Sequence, residues 1–216
     1  MSAKIKICGL TKPGDAYAAM RAGVDYLGAI FYEKSPRRVP SESLDDLLDA
    51  MPDGVRVMVD VLPENEAVEA RMSMGFDYFQ IHFDLAGTPE SRIADYSRIL
   101  GRERLWLAPR LKPEDPLPDY VFEYAGTLVM DTYRAGKFGG TGETGEWDRF
   151  ARLKTGHPET RLVLAGGLNP ENVANALRTT KADIVDLNSG IESAPGVKDF
   201  SKMTAAIVAV READGA

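Results

Sequence analysis

Arg161-Leu162-Val163-Leu164-Ala165-Gly166-Gly167-Leu168-Asn169-Pro170-Glu171-Asn172-Val173 carries the pattern that decides the fold. Residues 161–165 form a short apolar run of the kind seen in strands buried on both faces. A glycine pair follows and makes the turn. Asn169 then stands where a helix N-cap belongs, with Pro170 at the first helical position. A strand running through a glycine turn into a capped helix is one βα unit. The returning helix obliges the next strand to pair in parallel.

The same unit recurs in both directions along the chain. Strand-like runs fall at residues 4–8, 26–32, 55–62, 78–82, 105–110, 127–131, 161–165 and 184–188. Helical patterns fall at 13–22, 41–51, 63–74, 89–100, 170–178 and 197–211. The first of these ends at Gly23, a natural C-cap. The second opens with Ser41 at the N-cap position, with Asp45 and Asp46 favouring its N-terminal half. Residues 112–124 carry three prolines, so a short helix or a loop is expected after the fifth strand. Eight strands with helices between them predict a single-domain α/β protein, a (β/α)8 TIM barrel over residues 1–216.

Composition narrows the function. The chain is 44% hydrophobic and 27% charged, ordinary for a globular protein with a sizeable core. A net charge of −7 argues against nucleic acid or an anionic membrane as partner. A small anionic substrate is still compatible, because a few backbone N–H groups and one arginine make a local positive site. The lone Cys8 excludes an intrachain disulfide. No segment has the length of a membrane span, and the first residues lack the apolar run of a signal peptide, so a cytoplasmic location is expected. One Cys and two distant His offer no metal-ligand spacing, and no cofactor is expected. Monomer and homodimer are both compatible with the sequence.

In this fold the active site lies at the C-terminal ends of the strands. Cys8-Gly9 ends the first strand, Lys34-Ser35-Pro36-Arg37-Arg38 follows the second, and His82 ends the fourth. Asp131 ends the sixth, Gly166-Gly167 the seventh, and Asn188-Ser189-Gly190 the eighth. A lone cysteine is most often a small buried hydrophobe, but at this place Cys8 is a candidate general base. By strand alternation Lys4, Lys6 and Cys8 share a face, so Lys6 is expected beneath Cys8, lowering the thiol toward neutrality. Asp131 reads as a helix N-cap or a general acid. Arg37 and Arg38 form a solvated basic loop unless one binds a carboxylate. The glycine turns after the seventh and eighth strands suit phosphate. The glycine-rich residues 139–142 suit a lid or an anion cradle.

Five motifs in order carry a family resemblance. Lys6-Ile7-Cys8-Gly9-Leu10-Thr11 resembles the opening motif of phosphoribosylanthranilate isomerases, and Ser35-Pro36-Arg37 resembles their arginine loop. Asp131-Thr132 with Gly139-Gly140-Thr141-Gly142 and Trp147 is similar to their sixth-strand segment. Residues 165–173 resemble their seventh turn. Asp186-Leu187-Asn188-Ser189-Gly190-Ile191-Glu192 with Pro195-Gly196-Val197-Lys198-Asp199 resembles their last strand and extra helix. The resemblance implies a cofactor-free Amadori rearrangement in tryptophan biosynthesis, with Cys8 as general base and Asp131 as general acid. It implies that Arg37 positions the anthranilate end. Gly140, Gly166, Gly167, Asp186, Ser189 and Gly190 would complete substrate binding.

Two stretches depart from that pattern. Phe83, in Gln80-Ile81-His82-Phe83-Asp84, stands where the family has glycine and is expected on the rim, reshaping the anthranilate side. Residues 106–110 are also unusual. A related isomerase of histidine biosynthesis would carry an acid in place of Cys8, and a phosphopentose epimerase would want more histidines. A barrel that binds without turnover is the non-enzyme alternative.

Overall fold

Every predicted strand forms. In the computed structural model, which describes residues 2–110, 115–131 and 144–214, eight parallel strands close a barrel in chain order. They are β1 (Lys4–Ile7), β2 (Tyr26–Ile30), β3 (Arg56–Val61), β4 (Tyr78–Asp84), β5 (Leu105–Arg110), β6 (Thr127–Asp131), β7 (Arg161–Ala165) and β8 (Ile184–Leu187). The last strand pairs with the first from Lys4↔Ile184 to Ile7↔Leu187, which removes both sheet edges. Helices α1 (Pro13–Arg21), α2 (Leu44–Asp49), α3 (Asn65–Ser73), α4 (Glu90–Leu100), α5 (Tyr120–Tyr124), α6 (Thr144–Gly156), α7 (Val173–Thr180) and α8 (Phe200–Asp214) return the chain between strands and after the last.

Strand alternation builds two apolar layers. Val57, Val59, Trp106, Val129, Val163 and Ile184 fill the barrel interior. Ile5, Ile7, Leu27, Ile81, Leu107 and Leu164 face the helices in a larger cluster. At the N-terminal end of the barrel Tyr26 meets Tyr78 and Trp106 edge to face, with ring centroids 5.4 and 5.0 Å apart. Lys4 Nζ lies 3.2 Å from the Tyr26 hydroxyl. That end is therefore filled by aromatic rings, and ligand access is left to the opposite rim.

Local signals succeed where the chain itself supplies both partners. The Asn169 side chain accepts from the N–H groups of Glu171 and Asn172, while Asn172 Oδ1 accepts from the N–H of Asn169. These bonds close a turn, and the helix itself starts at Val173, three residues later than the expected Pro170, with Asn172 and not Asn169 at its N-cap. Gly23 takes φ +78 beyond α1, as its C-cap reading requires. The helix after β5 is short, as the prolines predicted.

Three expectations are corrected. Residues 41–51 split into a 3-10 turn, Ser41–Ser43, and α2, and no serine side chain caps either. Helix α6 was not anticipated. The last helix begins at Phe200, because Val197–Lys198 (β10) turns back on Glu192–Ala194 (β9) as a small antiparallel hairpin. Pro195-Gly196 forms its corner, with Gly196 at φ +79. Asp199 then caps α8, accepting from the N–H groups of Ser201 and Lys202.

Candidate active site

Cys8 follows β1 directly, its N–H donating to Leu187 O at 2.9 Å, and it is buried. Lys6 lies beneath it, fully buried, with Nζ 2.7 Å from Asp186 Oδ2. Both side chains need the space left by Gly28 on the neighbouring strand. A Cβ there would sit 3.0 Å from Cys8 Sγ and 3.2 Å from Lys6 Nζ. An isolated glycine inside a buried strand signals such a close approach, and this one escaped the sequence reading.

The electrostatics correct one expectation. Burial pushes the Cys8 thiol up, Lys6 pulls it down, Asp186 pushes it up again, and Lys198 adds a smaller downward pull. Burial prevails, so the thiol rests above its ordinary value rather than near neutrality. Burial also opposes the charge on Lys6. Asp186 and Cys8 outweigh it, so the ammonium is held above its ordinary value and stays protonated. Asp186 Oδ1 is buried and has no hydrogen-bond partner among the described residues.

Asp131 ends β6 with an exposed side chain. It shares the parity of Val129, which faces the barrel interior. Around the closed barrel β6 lies three strands from β1, by way of β8 and β7. Cys8 and Asp131 therefore stand on well-separated arcs of the same rim. Gly166 and Gly167 both take positive φ, +95 and +64. Asn172 Nδ2 donates to Gly167 O at 3.0 Å and holds this turn. Ser189 and Gly190 lie in a 3-10 turn after β8, and Gly190 packs against Leu168 O of the seventh turn. The two glycine turns thus meet. Gly140 and the rest of residues 139–142 lie outside the described residues.

Arg37 is not a solvated loop residue. Its Nε and Nη2 grip Glu192, at 3.0 Å to both oxygens and 2.8 Å to Oε2. Lys198 Nζ reaches Glu192 Oε1 at 3.0 Å and Asn188 Oδ1 at 3.0 Å. Glu192 and Lys198 had no assigned role at the sequence level, because only the unforeseen hairpin brings them together. Arg38 is exposed.

On β4 the side chains of Gln80 and His82 meet, with Gln80 Nε2 2.8 Å from His82 Nε2. Burial, then Lys6 and Arg110, lower the His82 pKa to about 4, so the ring is neutral. Phe83 has the opposite parity. It is buried in the outer layer against the helices, not on the rim, so it does not reshape the site. On β5 Trp106 and Ala108 face the barrel interior. Trp147 is likewise part of the outer core. Among the described residues no cluster of His, Cys, Asp and Glu has the makings of a metal site. Nor is any helix among them long and apolar enough to cross a membrane.

A family model for N-(5′-phosphoribosyl)anthranilate isomerase matches residues 5–209. A relative of that name from Trichlorobacter lovleyi is 38% identical, over 97% of this chain and 98% of its own. The crystal structure of TrpF from Jonesia denitrificans superposes with a TM-score of 0.79 at 32% identity, covering 98% of each chain. A phosphoribosylanthranilate isomerase solved with reduced 1-(o-carboxyphenylamino)-1-deoxyribulose 5-phosphate gives 0.74 at 27%, covering 97% of this chain and 99% of the other. With barrel, rim and motifs in one register, the chain belongs to the N-(5′-phosphoribosyl)anthranilate isomerase family.

Proposed function

We propose that this protein catalyses the Amadori rearrangement of N-(5′-phosphoribosyl)anthranilate to 1-(2-carboxyphenylamino)-1-deoxyribulose 5-phosphate, in the tryptophan pathway of the cytoplasm. Asp131 protonates the furanose ring oxygen, and the C1–O bond breaks to leave an iminium. Cys8 then takes the proton from C2, and the resulting enolamine tautomerises to the ketone. One proton enters and one leaves, so the reaction needs no external oxidant or reductant. The observation that carries this reading is Cys8 set over a buried Lys6, with Asp131 on a separate arc of the same rim. Ring opening creates a cation beside the thiol. That charge joins Lys6 in favouring the thiolate at the step that needs a base.

The remaining assignments follow the chemistry of each place. The meeting turns around Gly166, Gly167, Ser189 and Gly190 hold the phosphate through backbone N–H groups, away from the reacting carbons, and Gly140 belongs to the same set. Phosphate binding there supplies orientation. Asp186 Oδ1 has no partner among the described residues, and we assign a ribose hydroxyl to it. Arg37 meets the anthranilate carboxylate. Substrate generated in situ and followed by its fluorescence tests the whole. The wild type should remove the signal, and Cys8→Ser and Asp131→Asn should fold yet lose at least about a hundredfold in kcat. Decay at the uncatalysed rate with wild-type protein would reject the substrate.

A further inference from the structure

A guanidinium has two edges on which a carboxylate can dock, and among the described residues Arg37 has one of them occupied. The side-on edge, Nε with Nη2, is spent on Glu192. The end-on edge, Nη1 with the second Nη2 hydrogen, has no partner among the described residues, and the side chain as a whole is 21% exposed. Glu192 itself is saturated. Beyond Arg37, its Oε1 accepts from Lys198 Nζ at 3.0 Å and from the N–H of Gly196 at 3.3 Å. Its side chain is 4% exposed and that of Lys198 is fully buried, so both support Arg37 from within the fold. Burial opposes the charge of Glu192. Arg37 and Lys198 outweigh it and hold the carboxyl below its usual value. Gly9 completes the seat, because a Cβ there would press on Arg37 Cδ at 3.1 Å.

We propose that Glu192 is a positioning residue, locked by Lys198 and the β9–β10 hairpin, that presents the free edge of Arg37 to the substrate's ring carboxylate. This rests on the assignment of Arg37 made above. A long, rotamer-rich side chain fixed in advance loses less freedom on binding, and a two-point edge imposes direction on the aromatic acid. Glu192 therefore acts on recognition of the carboxylate, through Arg37 and not on the reacting carbons.

The test compares equilibrium binding of two reduced product analogues, one with the ring carboxylate and one without. In Glu192→Gln the carboxylate-bearing analogue should bind about tenfold more weakly, and the other within about twofold of wild type. Arg37→Met should abolish the preference, and adding Glu192→Gln to it should change nothing further. Glu192→Asp keeps the charge but shortens the reach, so its preference should fall between wild type and Glu192→Gln. It provides the same test if the Gln variant does not fold. Equal weakening of both analogues, full additivity with Arg37→Met, or a wild-type preference in the folded variants would overturn the positioning role. If Arg37→Met still prefers the carboxylate, the Arg37 assignment fails first and takes this inference with it. If Arg37→Met loses the preference while Glu192→Gln keeps it, the inference alone fails.

Discussion

A buried cysteine is a reluctant base, because the site must remove the thiol from water and still hold its anion. Here Lys6 resolves part of that conflict from below, while Asp186 keeps Lys6 charged. The sign of the pH effect follows. This thiol rests above its ordinary value, so the ultraviolet absorbance of its thiolate, taken as the difference from Cys8→Ser, should rise with pH and still be climbing near pH 9. Lys6→Met removes the largest downward influence, and the profile should move to higher pH. The same change strands Asp186 as a buried, unpaired carboxylate, and a urea titration should show a loss of about 3–5 kcal/mol. A folded Lys6→Met protein with an unshifted profile would detach the lysine from the thiol. The inward lysine was legible from the alternation of Lys4, Lys6 and Cys8. The direction of the thiol's shift was not, because it depends on burial, which arises only when all eight strands close over the pair.

At the scale of elements, the chain announces what neighbouring residues settle and conceals what distant ones settle. The Asn169–Asn172 turn is written within four positions, and α7 starts just after it, three residues beyond the place the Asn169-Pro170 pair suggests. The hairpin strands β9 and β10 are three and two residues long, too short for a periodic signal, so the second reads as the start of a helix. Phe83 is a related case. The motif made it a rim residue, but parity puts it in the outer layer beside Ile81. The meeting of the seventh and eighth turns gives an element-scale prediction. An added methyl at Gly190 would run into Leu168 O and approach Asn169 Cβ to 2.8 Å, so the two turns must part. Gly190→Ala should cost about 1–3 kcal/mol in stability. It should raise KM well above its effect on kcat, since the phosphate lies away from the reacting carbons. Steady-state kinetics beside a urea melt would check both, and an unaltered KM would remove these turns from phosphate binding.

Over the whole molecule the net charge is −7, yet at the open end of the barrel three cations, buried Lys6 and Lys198 and part-buried Arg37, face two carboxylates, Asp186 and Glu192, and leave that group positive. Such a mouth favours an anionic ligand despite the global sign. The same concentration of positive charge acts on His82, which burial, Lys6 and Arg110 keep neutral down to about pH 4. The unfolded chain takes up that proton near pH 6.5. Between these two values protons bind the unfolded state and not the folded one. Folding stability tied to His82 is therefore complete above pH 6.5, falls as the pH drops below it, and stops falling below about pH 4. By pH 4.5 the contribution lost is roughly 2.5 kcal/mol. His82→Gln removes the titration, so the difference between its urea stability at pH 7 and at pH 4.5 should be smaller than the wild-type difference by about that amount. Carboxylates that also titrate in this window act on both proteins alike and cancel in the comparison. Equal acid sensitivity in the two proteins would mean that His82 gains its proton in the folded barrel as readily as in the open chain, and that the cationic mouth does not extend to β4.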